Sequence, residues 1–405
     1  MSDLEPVISA EPDWPVRRLG DVVTLLRRGT APVYVDDSDV KAIGQRCVTN
    51  SDFDASWARP HSARAMARTL KPEVGDVLIN STGTGTIGRS ALFGEREGNY
   101  IVDGHVTVAR PQPTAIRGRW LNDLLRTPAG QRYLETRCYA GSTNQVELSA
   151  VALADLLIAV PPLDFQLWAE TLLDTLDTTV RTTSSLLAKL NLLKIGLTQA
   201  VFADGSAPLI ALGEVAEVRN GTTPSRERRD YWERGSVPWV SSGKVNDYRI
   251  TAPSELVTER AVGECHLRIL PAGSVLVGMI GQGKTRGMAA RLDIAAAINQ
   301  NLAGIVPGPR LLGAYLHHYL VHSYQKLRSG GRGSNQDALT TGLVAQFQVP
   351  VPPIEEQRRV ADLLDALDLR IASERRIVAK LTAEKEGLLA DLLSGRVRVP
   401  AEVSS

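Results

Sequence analysis

The stretch VPPLDFQLWAETLLDTLDTTVRTTSSLLAKLNLLKIGLTQAVF, residues 160–202, returns as VPPIEEQRRVADLLDALDLRIASERRIVAKLTAEKEGLLADLL, residues 351–393. The match starts earlier, at Asn144-Gln145 against Asn335-Gln336, and runs to Phe202 and Leu393 without a gap, with about a third of the positions identical, which marks an internal duplication. Each Val-Pro-Pro ends an extended segment, because a proline pushes the residue before it away from helical geometry. A long run without proline follows each time. The spacing predicts two helices, 163–203 and 354–395, of roughly 40 residues and about 60 Å each.

Both helices carry a seam. Leu173, Val180, Leu187, Lys194 and Val201 recur every seven residues, with Leu176, Thr183, Leu190 and Leu197 three places later. The second helix repeats this with Leu364, Ile371, Val378, Lys385 and Leu392, then Leu367, Glu374, Leu381 and Leu388. Sustained heptads argue for a coiled coil, and polar breaks at equivalent places (Lys194 with Lys385, Thr183 with Glu374) fit a seam whose register is specified. The expected closure is an antiparallel pairing of the two helices, with a globular domain at each end. A seam used only for homodimerisation is the simpler alternative.

Upstream, landmarks recur in order with small gaps. Leu19-Gly20-Asp21-Val22 answers Leu212-Gly213-Glu214-Val215, Gly29-Thr30 answers Gly221-Thr222, and Gly75-Asp76-Val77-Leu78 answers Gly273-Ser274-Val275-Leu276. The chain therefore divides into an N-terminal segment 1–13, a globular domain 14–162, a helix 163–203, a second globular domain 204–353, a helix 354–395 and a tail 396–405. Short β-type runs (Val77–Ile79, Val106–Val108, Val275–Val277) and helical stretches (Trp120–Leu125, Ala314–Tyr319) make each globular half α+β.

Composition sets the outer limits. Apolar residues are 43% and charged residues 22% of 405, as in folded globular proteins. No run reaches the roughly 18 apolar residues of a membrane span, and the acidic N-terminus lacks a signal-peptide pattern. A cytoplasmic protein is expected. Three scattered cysteines, Cys47, Cys138 and Cys265, allow no disulfide framework or zinc ribbon and read as small buried hydrophobes. A net charge of +1 does not advertise nucleic acid, but only local potential matters at a groove.

Candidate ligand contacts lie in loops. Gly278-Met279-Ile280-Gly281-Gln282-Gly283-Lys284-Thr285 matches the P-loop pattern, yet its first-half counterpart, Asn80 to Thr86, has no lysine, and no parallel βαβ series follows. Lys284 and Arg286, with Thr84 and Arg89 in the first half, suit phosphate contacts equally well. The loops around Asn144-Gln145 and Arg332…Asn335-Gln336 offer amides and a guanidinium. Arg226 and Arg228 could read guanine, and Ser241 and Lys244 lie on a second candidate loop. His317, His318 and His322 lie on a predicted helix without an evident carboxylate or cysteine partner, so no metal site is expected. No nucleophile–base constellation is visible, so no catalytic residue is assigned.

Taken together, the ordered set of landmarks, present twice, with Gln166 or Gln357 following each Pro-Pro and the ending Gly387 to Val399, resembles the specificity subunit of Type I restriction-modification systems. The resemblance covers nearly the whole chain. It implies two mixed α/β target-recognition domains joined by two long antiparallel coiled-coil helices, an internal pseudo-two-fold repeat. Each domain would read one part of a split double-stranded DNA site, and the helices would set the spacer and bind two adenine-N6 methyltransferase subunits, with restriction/translocase subunits joining later. It further implies a non-catalytic subunit without cofactors, with S-adenosylmethionine, ATP and magnesium on the partners. The first half departs from the family's commoner look near Val33 to Val48. Two other readings stay open: a P-loop nucleotide-binding protein using Gly278 to Thr285, and a coiled-coil interaction protein that binds no DNA.

Overall fold

The computed structural model describes residues 14–397 except 51, 95–96, 142–145, 204, 206, 282 and 331–338. It divides into two units, residues 1–182 with 378–405, and residues 183–377. Each unit holds one globular domain and parts of both long helices, Leu163–Ala203 and Ile354–Leu393.

The first domain is built on an antiparallel sheet with strands in the order Val23–Arg28, Val106–Pro111, Val77–Asn80, Ser90–Leu92. Its central strand is buried on both faces. Val77 and Ile79 pack under the helix Gly118–Arg126, while Leu78 faces a small sheet of Arg59–Pro60, Val40–Ile43 and Asn99–Val102. The second domain repeats this plan with Ala216–Asn220, Leu302–Pro307, Val275–Gly278 and Ala289–Leu292, extended by Arg249–Ile250, and with a small sheet of Glu255–Val257, Val237–Val240 and Ala297–Ile298. In both small sheets the last two strands run parallel. Short ladders, Val16–Arg18 with Leu157–Ala159 and Leu209–Ala211 with Gln348–Pro350, bring the start and end of each domain together, so the long helix leaves beside the point where the chain came in.

Gly118 and Gly313, which open the domain helices, are packing glycines. A Cβ on Gly118 would lie 2.1 Å from the Gly75 carbonyl oxygen, and one on Gly313 would lie 2.0 Å from that of Gly273, so helix and strand touch backbone to backbone at the same place twice. The recurring glutamines have an equally local purpose. Buried Gln166 accepts the Arg117 N–H at 2.9 Å and donates to the carbonyls of Pro161 and Ala115. Buried Gln357 accepts the Leu312 N–H at 2.8 Å and donates to Pro352 and Arg310. Each glutamine thus ties the first turn of a long helix to the N-cap of the domain helix beside it, satisfying an N–H the helix cannot satisfy itself.

Within each unit the long helices run antiparallel. In the first, Leu173 packs in one core with Leu392 and Leu393, and Lys385 is ion-paired with Asp177. In the second, Phe202 packs on a core containing Ala361, and Lys194 is ion-paired with Asp368. Leu173, Leu364 and Ile371 are buried. Leu176, Val180, Leu187, Leu190, Leu197, Leu367, Val378, Leu381 and Leu388 are half-buried. The helix Leu163–Ala203 contains an 18-residue window of mean hydropathy 1.3, long and apolar enough by composition to cross a membrane, and none of that window is buried. That apolar content exceeds what the sequence reading allowed for. On the outer face stand Leu186, Leu192, Leu193 and Ile195.

A polar cluster roots each domain on the helices. In the first unit Arg119 bridges Asp123, Asp174 and Asp177, at 2.7 Å each. In the second, Asp365 accepts from Arg291 and His318, both at 2.8 Å, and Asp368 from Tyr248 at 2.9 Å. The absence of carboxylate partners expected for the helix histidines is therefore corrected, since Asp365 reaches His318 from a helix 47 residues away. His318, Asp365 and Asp368 could between them present ligand atoms to a metal, all within 4.8 Å. Arg291 and Lys194 already neutralise the two carboxylates, so the cluster is balanced without an ion. His317 beside it is fully buried, and neither ring nitrogen has a hydrogen-bond partner among the described residues. Burial, with repulsion from His318, holds its pKa well below the ordinary value. Although burial alone would raise Asp365, the hydrogen bonds from His318 and Arg291 hold it well below the carboxylate range.

Two outcomes follow. Gln357→Ala leaves the Leu312 N–H unpaired and should cost about 1–3 kcal/mol, read as a lowered urea midpoint; an unchanged midpoint would remove the glutamine tie. Because the folded chain keeps His317 neutral while the unfolded chain protonates it near pH 6.5, stability should fall as pH drops below that value, by about 1.4 kcal/mol per unit from this group. His317→Leu should flatten the slope between pH 7.5 and 5.5, and an equal slope in both proteins would refute the assignment.

Candidate nucleic-acid interface

The same backbone frame recurs at one end of each domain. In the first, Asp103 N–H donates to Ile43 O at 3.0 Å, Thr30 N–H to Val102 O at 3.0 Å, and Ser81 N–H to His105 O at 2.9 Å. In the second, Asn299 N–H donates to Val240 O at 3.0 Å, Thr222 N–H to Ile298 O at 2.9 Å, and Met279 N–H to Asn301 O at 2.9 Å. Four loops meet here in each domain: the Gly-Thr loop, the loop after the middle strand of the small sheet, the hairpin tip, and the Asp103–His105 or Asn299–Asn301 turn. The Gly-Thr loop lies so close that a Cβ on Gly29 or Gly221 would fall 2.1 or 1.8 Å from the carbonyl of Val102 or Ile298. The segments that follow the Asn-Gln pairs join the same frame, through Leu148 N–H to Ser81 O and Leu339 N–H to Met279 O.

Beyond the recurring Gly-Thr pair, the polar side chains around this frame differ between the domains. In the first domain the Arg46 guanidinium lies 3.6 Å over the Trp57 ring and that of Arg59 lies 3.7 Å over Tyr34. Trp57 is 45% exposed and Tyr34 38%. The Tyr34 hydroxyl donates to Asp103 at 2.8 Å, and burial with that bond pushes its pKa up to about 12, so it stays a neutral donor. His105 is exposed and shares a 2.8 Å hydrogen bond with Thr82. These residues were not singled out in the sequence; an aromatic beside an arginine at Trp57-Ala58-Arg59 was the signal available.

In the second domain Arg226 stacks 3.7 Å over Trp232, but both of its terminal nitrogens are held by Glu255 at 2.7 Å. Arg228 is likewise held by Asp230 at 2.8 and 2.6 Å and by Glu264 at 3.2 Å. The hydrogen bond from Arg228 lowers Asp230 to about 2. Neither arginine presents a free fork. Ser241 shares its hydroxyl with Ser254 at 3.0 Å, and Lys244 pairs with Asp247 at 2.8 Å. Arg229, Arg234, Arg268 and Lys284 are exposed and have no ion-pair partner among the described residues. Gln300, exposed, accepts the Thr223 hydroxyl through Oε1, and Asn301 follows it.

The glycine-rich match resolves into a hairpin. Val275–Gly278 returns antiparallel as Ala289–Leu292, with no helix after the turn, so no helix N-terminus is available to a phosphate chain and the P-loop reading fails. Arg286 is buried, 8% exposed, contrary to its expected place on a phosphate-facing surface. Lys284 is exposed at the tip. In the first domain Thr84 is exposed, and Arg89 donates to Gly85 O at 2.7 Å, bracing its own turn. Asn144, Gln145, Arg332, Asn335 and Gln336 lie outside the described residues.

Comparisons with known proteins agree on one family. Residues 209–383 match the model of the Type I restriction modification DNA specificity domain. The specificity subunit of the Escherichia coli enzyme EcoR124I/EcoR124II is 26% identical over 170 residues, 41% of this chain and 42% of that protein. The MjaIX specificity subunit of Methanocaldococcus jannaschii is 29% identical over 181 residues, 42% of this chain and 40% of its own length, so the match spans about two fifths of each of these relatives. The putative MjaX specificity subunit of the same organism is 24% identical, over 96% of this chain and 94% of its own. Among solved structures, the S subunit of a Type I system from M. genitalium superposes with a TM-score of 0.61 at 14% identity, covering 96% of this chain and 98% of that one. A chain from work on complex assembly and conformational transition of the type I R-M system gives 0.56 at 19%, covering 96% and 99%. At these identities the structures speak for the fold.

The hairpin geometry predicts that millimolar ATP with magnesium leaves the melting temperature of the isolated chain unchanged. A nucleotide-induced rise that Lys284→Ala abolishes would restore the P-loop reading.

Proposed function

We propose that this chain, similar to Type I restriction-modification specificity subunits, is the DNA-reading, non-catalytic subunit of such a complex, each globular domain taking one half of a bipartite site. The observation that carries this is the repeated frame with unlike side chains: equivalent backbone hydrogen bonds hold the turn Asp103-Gly104-His105 in one domain and Asn299-Gln300-Asn301 in the other. Direct readout needs such a division, with backbone fixing where a group stands and side chains deciding which base edge it meets. The helices are the spacer. Their outer apolar residues, Leu186, Leu192, Leu193 and Ile195 with Leu369 and Ile377, are too exposed to serve the fold and suit docking by methyltransferase subunits, which would supply S-adenosylmethionine chemistry. ATP and magnesium belong on restriction subunits, where these are present.

The complex reconstituted with its methyltransferase partner should select a two-part consensus from random DNA; a pool without any preference after repeated selection would sink the proposal. Lys284→Ala should weaken binding to all sequences alike and reduce the slope of log K against log salt by about one. A change in the consensus instead would make Lys284 a base reader.

A further inference from the structure

We propose that Gln300, oriented by Thr223, reads one adenine in the half-site taken by the second domain, an assignment that rests on the DNA-specificity reading above. Elimination leads there first. Of the polar groups described on this frame, the forks of Arg226 and Arg228 are closed by carboxylates, the Ser241 hydroxyl is shared with Ser254, and Lys244 is paired with Asp247. Lys284 is a point charge at a hairpin tip, the form suited to phosphate. Arg229, Arg234 and Arg268 are exposed cations that only donate, and Asn301 is half-buried, whereas Gln300 is exposed and offers a donor and an acceptor together.

Its chemistry then narrows the partner. The Thr223 hydroxyl donates to Gln300 Oε1, which fixes the amide and leaves one Oε1 lone pair and the Nε2 donors facing outward. Adenine presents an acceptor, N7, beside a donor, N6, in the major groove, and a side-chain amide matches both. Guanine presents two acceptors there, one of which would face Oε1. The backbone around Gln300 is anchored on both sides by Asn299 N–H to Val240 O and Met279 N–H to Asn301 O, so the amide stands on a rigid element.

The equivalent position in the first domain is Gly104, whose N–H donates to Thr30 O at 3.0 Å. A Cβ there would meet nothing nearer than the Ala31 nitrogen at 3.6 Å, an ordinary contact. The position therefore accepts a side chain in either domain, and its identity is free to follow the DNA.

The test is selection from random DNA by the full complex with its methyltransferase partner, using the parent protein, Gln300→Ala, Gln300→Glu and Thr223→Val. The parent should demand adenine at one position of the second half-site. Gln300→Ala should relax that position alone by about 5- to 150-fold, the range of one bidentate pair, while the first half-site stays intact and reports a folded, bound complex. Gln300→Glu, an acceptor only, should move the preference toward cytosine, whose N4 donates. Thr223→Val should relax the same position more weakly. If the parent selects a consensus and Gln300→Ala reproduces its discrimination at every position, the assignment to Gln300 is wrong. If the parent selects nothing, the DNA reading itself fails.

Discussion

A lysine on the seam of a helix pair must find an acid, and that requirement sets how these helices lie. Lys194 and Lys385 occupy equivalent repeat positions, and so do Asp177 and Asp368. Side by side in parallel, aligned repeats would set lysine against lysine and aspartate against aspartate, which repel. Antiparallel pairing converts both clashes into the ion pairs found, one in each unit. Half-buried pairs of this kind add little net stability, because desolvation offsets the Coulomb gain, but they penalise every other register. Leu173, Leu364 and Ile371 supply the burial and the lysines supply the choice.

From that frame the domains are held by short polar ties. The glutamines after the Pro-Pro pairs close on the N-caps of Gly118–Arg126 and Gly313–His322, Asp174, Asp177 and Asp365 take cations from the domains, and Asp368 accepts the Tyr248 hydroxyl. The two domains meet the last demand with different residues. Arg119 serves the first, while Arg291, His318 and Tyr248 serve the second. Equivalent carboxylates on the helices thus constrain each domain to provide a donor without dictating which one.

The surface assigned to DNA follows the opposite rule, with backbone constant and side chains free. It also explains a net charge of only +1 in a chain proposed to meet a polyanion. Several arginines on the second domain are matched by Glu255, Asp230 and Glu264, so part of its positive charge is cancelled where it stands. Association governed by a few phosphates and a few base edges favours discrimination over indiscriminate attraction.

The sequence by itself determined the duplication, the two helices with their heptad seam, and the α+β character of the domains, because periodicity and proline act locally and leave their mark on neighbouring residues. It also held the antiparallel register, in the crossed aspartates and lysines. The landmark glycines Gly29 and Gly221 were visible while their reason was not: whether a glycine admits a ligand or another backbone depends on what lies across from it, and here it is the carbonyls of Val102 and Ile298. Only the tertiary structure decided that Gly278 to Thr285 closes a hairpin, that Arg226 is locked to Glu255 across 29 residues, and that Thr223 orients an exposed Gln300. Such facts depend on groups distant along the chain meeting in space, and no local pattern records them.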